Sequence, residues 1–127
     1  MSVRYVFDAG ALIAAERGKE RAARFLRLAR IGRARIIVPL PVIAEWWRGR
    51  TDARDEILAA SQVVGSIEIV KAAGIALAKA KDVDAELTID AIVMATAAMM
   101  DAIVVTGDSG DFERLAGHFL GVSVLSI

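Results

Sequence analysis

A single α/β domain, with a central and mostly parallel sheet flanked by helices, is the fold this sequence predicts. Three observations carry that prediction. Short apolar runs alternate with helical patterns along most of the chain, the signature of strand–helix–strand units. The composition is 56% hydrophobic, which suits strands covered on both faces and excludes a disordered chain. The length of 127 residues fits one domain, residues 1–127, large enough to bury a core. No internal repeat, low-complexity tract or linker interrupts it, and both prolines, Pro39 and Pro41, fall in one short turn.

The elements follow in order. A first strand is expected over about Val3–Phe7, then a helix from about Ala9 to Glu16 that Gly18 breaks. A basic amphipathic helix is expected from about Lys19 to Ile31. Its apolar positions Ala22, Phe25, Leu26 and Ala29 recur at three and four residues, so Arg24, Arg27 and Arg30 face elsewhere. The second strand is read at Arg35–Val38, and Pro41 then suits the first turn of a helix through about Arg48. Thr51 or Asp52 caps the next helix, to about Ala60. A short strand is read at Gln62–Val64. Ser66 caps a helix to about Ala80, with Ile67, Val70, Gly74 and Leu77 facing inward. Thr88 caps a helix to about Met100, and a strand Ala102–Thr106 follows. A short helix, Asp111–Ala116, and a last strand, Val122–Leu125, complete the chain.

Composition removes several classes of chemistry. The absence of Cys excludes disulfides, thiolate zinc sites and Cys nucleophiles. One histidine, His118, leaves no His-rich zinc site. It has no GxSxG elbow to serve, so it reads as an ordinary helix-end residue. The run Gly107-Asp108-Ser109-Gly110-Asp111 lacks the GK[ST] ending of a nucleotide-binding P-loop. A phosphatase of the haloacid-dehalogenase type needs a second Asp two residues after Asp8, where Gly10 stands. No signal peptide is recognisable, because Asp8 interrupts the first apolar run. The longest apolar stretch, Ile89 to Val105, is broken by Asp90 and Asp101. A cytoplasmic location is expected.

Charge is balanced overall but not along the chain. Residues 1–54 hold 12 of the 16 Lys/Arg and 5 of the 16 acids, +7, which leaves −7 for the rest. Such asymmetry lets a phosphate-rich partner meet one side of the molecule, although the run Arg21 to Arg33 reads equally as a solvated helix face.

Four carboxylates hold the chemical interest: Asp8, Glu45, Asp90 and Asp108. Asp8 and Asp108 each follow an apolar strand, and acids at the C-terminal ends of adjacent parallel strands fall where open α/β sheets place their sites. Asp8 also suits the cap of the following helix, and both roles are compatible. Glu45 sits mid-helix among apolar neighbours, so it is either exposed or turned inward and paired. Asp90 lies in the first turn of an otherwise apolar helix, favoured there by the helix dipole and aimed toward a cleft. Asp111 is either a fifth ligand or the cap of its own helix. Arg48, three residues after Glu45, is expected on the same helix face, touching substrate phosphate or balancing the acids. Of the adjacent Trp46 and Trp47, one is expected in the core and one at an interface. Clustered carboxylates cannot all stay ionised without a cation, and oxygen donors favour Mg2+ or Mn2+. A metal lowers the pKa of a bound water and neutralises charge on a phosphate. The reading is phosphodiester hydrolysis, with Thr106, Arg17, Arg48 and Arg50 as substrate-binding candidates.

The segments FDAGALIAAER, VIAEWWRG, LTIDAIVMATA and VVTGDSGDF, in this order and spacing, resemble the PIN domain, and within it the bacterial VapC-type toxins of type II toxin–antitoxin pairs. The resemblance covers essentially the whole chain. It implies a metal-dependent endoribonuclease that uses Mg2+ or Mn2+, held by Asp8, Asp90 and Asp108 with Glu45 directly or through water, and by Asp111. It also implies a homodimer, inhibited by a cognate VapB-type antitoxin whose C-terminal segment wraps the toxin. Two other readings share the fold: a module that binds RNA or protein without cutting, and a housekeeping RNA-processing nuclease. One departure stands out, since Ala9 and Gly10 replace hydroxyl residues that many relatives carry after the first Asp.

Overall fold

The computed structural model describes residues 2–80 and 85–127. Five strands form one parallel sheet in the order β3-β2-β1-β4-β5: β1 Val3–Phe7, β2 Ala34–Pro39, β3 Ser61–Val64, β4 Ile103–Thr106 and β5 Val124–Ser126. Parallel strands need crossovers, which helices supply. They are α1 Ala9–Glu16, α2 Glu20–Arg30, α3 Leu40–Trp46, α4 Asp52–Ala59, α5 Ile67–Lys79, α6 Thr88–Met100 and α7 Gly110–Leu115. Past Arg4 and Arg35 near their starts, the three middle strands run without alternation of apolar and charged residues because both faces are covered. Val6, Phe7, Ile36, Ile37, Val38, Val104 and Val105 are all buried. The edge strands β3 and β5 are short and partly exposed, which limits unwanted edge pairing. No helix among the described residues is long and apolar enough to cross a membrane.

The chain winds from β1 out to β3, then returns across β1 to β4 and β5. The switch in direction lies between β1 and β4, which pair in register with Phe7 opposite Val105. A crevice opens there, past the strand ends, and the residues that follow each strand meet in it.

Local signals account for most helix ends. Asp8, Thr51 and Ser66 each accept a hydrogen bond from the backbone N–H three residues on, at the starts of α1, α4 and α5. Gly18 takes the left-handed conformation (φ 73°) just past α1, where its N–H donates to the Ala15 carbonyl. Helix α6 is buried all round from Ala91 to Ala97, packed between the sheet, α5 and α7. Its one polar interior group, the Thr96 hydroxyl, donates to the Ile92 carbonyl at 2.7 Å.

Two expectations are corrected. Helix α5 buries Ile69, Ala73 and Ala76, whereas Ile67 and Val70 are exposed, Gly74 is exposed and Leu77 is only half-buried. Both sets satisfy helical periodicity, and tertiary packing against α6 chose the set with the smaller side chains, which allows closer approach. Thr88 does not cap α6. A 3-10 turn over Ala85–Leu87 runs directly into it, so Thr88 is already helical and makes no capping bond.

Candidate active site

Asp8 leaves β1 at the switch point. Its Oδ1 accepts from the Ala11 N–H at 2.7 Å, and its Oδ2 accepts from the Thr106 hydroxyl at 2.5 Å. Cap and cleft residue are therefore one. Thr106 is fully buried at the end of β4. Its oxygen also accepts from the Asp108 N–H at 3.0 Å. Since a hydroxyl has one proton, donation to Asp8 leaves its lone pairs for Asp108. Thr106, expected to touch substrate, is instead a brace between the two strand ends. Asp108 accepts from the Gly110 N–H at 3.1 Å through Oδ1, which folds the loop back toward the cleft.

Asp8, Glu45, Asp90, Asp108 and Asp111 line one cleft of ≈ 470 Å³, together with Glu86. Glu45 reaches it from α3, Asp90 from the first turn of α6 and Asp111 from the first turn of α7. Asp111 is not the cap of α7, because Ser109 occupies that position. Glu86, in the turn before α6, was missed by sequence reading. Its only signal is that it stands one helical turn ahead of Asp90. On the same wall as the α1 terminus, Arg17 and Lys19 supply the basic side chains lining the cleft.

The acids feel one another. Burial raises the Asp8 carboxyl above its ordinary value, the Thr106 and Ala11 hydrogen bonds pull it back, and Asp108 adds to the rise. Glu45 is raised by burial and by Asp8, with Arg48 opposing. Asp90 is pushed up to about 7, first by burial and then by Asp111, Asp8, Glu45 and Asp108. At neutral pH Asp90 is thus poised between its two protonation states. Among the described residues no three carboxylates are already gathered closely enough to cage an ion. They surround the cleft rather than converging on a point.

Two expected substrate cations are engaged elsewhere. Helix α3 ends at Trp46 and the chain turns extended at Trp47, so Arg48 is not on the Glu45 face. Its Nη1 donates to the Ala44 and Trp47 carbonyls, at 2.9 and 3.0 Å, and closes the helix end. Arg50 pairs with Asp52 at 2.9 Å and Asp55 at 2.7 Å. Neither lines the cleft. Arg17 does.

The tryptophans divide, yet touch. Trp46 is buried and Trp47 half-buried, with ring centroids 5.8 Å apart in an edge-to-face contact. Trp46 Nε1 donates to Glu16 Oε1 at 2.9 Å. Arg54 grips the same carboxylate with two bonds, Nε to Oε1 at 2.9 Å and Nη2 to Oε2 at 3.1 Å, and donates to the Gly49 carbonyl at 2.8 Å. This knot ties α1, α3 and α4 together. Sequence spacing gave no hint of it, since Glu16 and Arg54 are far apart in the chain.

Gly10 and Gly107 pass close to each other beside Asp8. A Cβ on Gly10 would lie 3.5 Å from Asp8 Oδ1 and from the Gly107 nitrogen, an ordinary contact. Sterics therefore do not enforce the missing hydroxyl at position 10.

The sequence profile of the PIN domain matches residues 5–118. The chain belongs to the PIN domain family. The match runs from β1 through α7, so it takes in every acid of the cleft. This PIN domain has no match in sequence among curated proteins. Its fold is similar to a chain of VapBC2 from Rickettsia felis, in a structure bound to a DNA fragment from their promoter. The TM-score is 0.72 at 13% identity, over 98% of this chain and 99% of that one. It is also similar to PAE2754 from Pyrobaculum aerophilum, with a TM-score of 0.60 at 18% identity, over 98% and 92% of the two chains.

Proposed function

We propose that this PIN domain is a metal-dependent endoribonuclease, the toxin of a VapBC-type pair, working as a homodimer held in check by a VapB-type antitoxin. The single observation that carries the reading is the cleft at the β1/β4 switch point, where Asp90 is pushed up to about 7 by burial and four neighbouring acids. An arrangement that costly to ionise is stabilised by a cation. The likeness in fold to VapBC2 over nearly the full length of both chains supports the toxin reading.

The residues fit a hard divalent ion. The side chains lining the cleft offer carboxylate oxygens as donors, and the one histidine lies in a different groove. Asp8, Asp90 and Asp108 would hold Mg2+ or Mn2+, with Glu45 directly or through water, and with Asp111 at the rim. When bound, the ion supplies an acidified water and neutralises charge on the scissile phosphate.

The remaining work belongs to the chain. Thr106 and the Ala11 N–H fix both oxygens of Asp8, so this carboxylate keeps its orientation whatever occupies the cleft. In the metal-free cleft Asp90 stands near its midpoint at neutral pH, so an ion binding there would displace its proton. Arg17 and Lys19 flank the acids and offset their repulsion of an RNA backbone.

The test is cleavage of RNA by purified protein with Mg2+ or Mn2+ and with excess EDTA. Cleavage that requires the ion and is lost in Asp108→Asn supports the reading. Undiminished cleavage in EDTA, by protein free of contaminating ribonuclease, refutes it. RNA binding without cleavage in any divalent ion would favour the non-cutting binding module.

A further inference from the structure

One face of the sheet is only partly covered. The chain steps from β1 to β2 to β3 through α1–α4, then steps back to β4 and β5 through α5–α7. Crossovers share one hand, so the helices of the outward and return paths lie on opposite faces. That leaves β4 and β5 extending past α2 on the α1–α4 face. A groove of ≈ 510 Å³ lies there, with Tyr5 of β1, Ile103 of β4 and Leu125 of β5 as its floor. Tyr5 and Ile103 are register partners, and Leu125 pairs with Val105, two residues on from Ile103. Alternation along the strands therefore puts all three on one face.

The groove joins the acidic cleft. Ile127 lines both, and its N–H donates to the Thr106 carbonyl at 3.0 Å. Helix α2 starts at the cleft, where Lys19 stands at its N-cap, and carries Arg21 and Arg24 along the groove wall. Five residues at 1.5 Å each separate Lys19 from Arg24, about 7.5 Å. That is on the order of two phosphates at the ~3.4 Å spacing of a stacked strand.

The side chains identify the occupant. Among the described residues Arg21 and Arg24 have no ion-pair or hydrogen-bond partner. Glu20 also lines the groove, but Arg27 holds its carboxylate and Arg24 is a smaller influence on it. The unbalanced charge is positive. An apolar peptide laid here would desolvate both guanidinium groups without pairing them, whereas a phosphate backbone pairs them. Tyr5 is half-buried, its ring is held edge-on by Phe25 at 4.7 Å, and its hydroxyl has no partner among the described residues. An aromatic ring on an apolar floor, beside unpaired cations, suits a base and its phosphates. A duplex keeps its bases paired and stacked and has none to place there.

We propose that the groove between α2 and the β1–β4–β5 face holds single-stranded RNA running out of the cleft, with Arg21 and Arg24 on its phosphates and Tyr5 against a base. This inference rests on the endoribonuclease reading above and says on which side of the cleft the strand lies.

The experiment is fluorescence anisotropy of short labelled single-stranded RNA of mixed sequence, and of the same sequence as a duplex, across a salt series. The parent protein carries Asp108→Asn so that bound RNA stays whole, and wild-type cleavage is measured in parallel. Arg21 and Arg24 are exposed, so replacing both by glutamine should leave circular dichroism unchanged. The pair should lower single-strand affinity about ten-fold or more at about 0.1 M salt. It should flatten the slope of log K against log salt by up to about 1.4, two phosphates at roughly 0.7 each. Tyr5→Leu should cost at least about five-fold in affinity, the low end for one stacked base, without moving the slope. Tyr5→Phe keeps the ring and should keep that affinity. Duplex RNA should bind more weakly and respond less to Tyr5→Leu. If the wild type cleaves RNA but affinity and slope are unmoved by the double arginine replacement, the groove is overturned and left to a protein partner, while the nuclease reading stands. Full affinity in Tyr5→Leu overturns the base contact. Equal losses for duplex and single strand overturn the single-strand assignment. No cleavage by the wild type and no RNA bound by the parent overturn the nuclease reading and the groove together.

Discussion

The Thr106 hydroxyl donates to Asp8 Oδ2 at 2.5 Å while the Asp108 N–H donates to it at 3.0 Å, so one buried side chain fixes both strand-end acids. The two residues stand side by side because β1 and β4 pair with Phe7 opposite Val105, one step before them. Thr106→Val keeps the shape but removes the donor and leaves the Asp108 N–H without its acceptor. Loss of stability on the order of 1–2 kcal/mol is expected. A hydrogen bond to the charged form lowers a carboxyl pKa, so its removal should raise the Asp8 pKa further. Carboxyl titration by NMR measures this directly. Thr106→Ser should behave like the wild type. An unmoved Asp8 titration in Thr106→Val would mean the brace has no electrostatic role.

Metal-free protein should become less stable as pH rises. Asp90 titrates near 3.8 when unfolded and at about 7 in the fold. Between those values the folded state binds more protons than the unfolded one, so stability falls with pH across that window. Asp90→Asn removes the Asp90 share of this decline, leaving the smaller shares of Asp8 and Glu45, and should equal or exceed the wild type in thermal stability above pH 7. Under the proposed mechanism the same substitution abolishes cleavage and reduces the stabilisation that Mg2+ gives. A wild type whose melting temperature is flat from pH 4 to 8 in EDTA would show that the acids do not strain the fold.

Much of this molecule was legible in its sequence. Three capping residues and one positive-φ glycine marked helix ends, and apolar runs without alternation marked the covered strands. Asp8 and Asp108 were placed correctly because position after a buried parallel strand is a topological property that pattern alone reveals. What failed was everything decided by three-dimensional partners. Periodicity offered two faces of α5 and could not say which α6 would bury. Arg48 was placed on the Glu45 face by helical spacing, but the helix ends at Trp46 and the guanidinium satisfies the carbonyls left there, while its charge still opposes the rise of Glu45, the balancing role that was its other expectation. Arg50 was assigned from charge, and local acids took it. Glu86 and the Glu16–Arg54 pair depend on contacts remote in sequence or on a turn with no signature.

The Glu16–Arg54 knot should matter more to stability than the exposed pairs Arg27–Glu20, Arg30–Glu56 and Arg50–Asp52, because its partners are only 23% and 17% exposed and bonded at two points. Arg54→Ala leaves the carboxylate with the Trp46 N–H alone. A loss of about 1–2 kcal/mol at neutral pH is expected. Hydrogen bonds from Arg54, then Trp46, hold the Glu16 pKa below its ordinary value. That contribution is present above the unfolded pKa and is lost as pH falls through the folded one. The difference between variant and wild type should therefore shrink in acid. Denaturant unfolding at pH 7 and pH 3 gives both numbers, and an equal penalty at the two pH values would assign the effect to packing.

RNA should enter past Arg17 and Lys19. They line the acidic cleft, whereas Arg48 closes α3 and Arg50 is held by Asp52 and Asp55. The acids repel phosphate, so these two cations have a long-range role even without touching the scissile group. Replacing both by glutamine should weaken RNA binding and flatten its dependence on salt by up to about 1.4 in the slope of log K against log salt, two phosphates at roughly 0.7 each. Catalysis at saturating RNA should fall less than affinity does, because a backbone contact positions the strand without entering the chemistry. Arg50→Gln is the control and should leave the slope unchanged. A control that flattens the slope as much as the Arg17 and Lys19 pair would move the RNA path to the α4 side of the molecule.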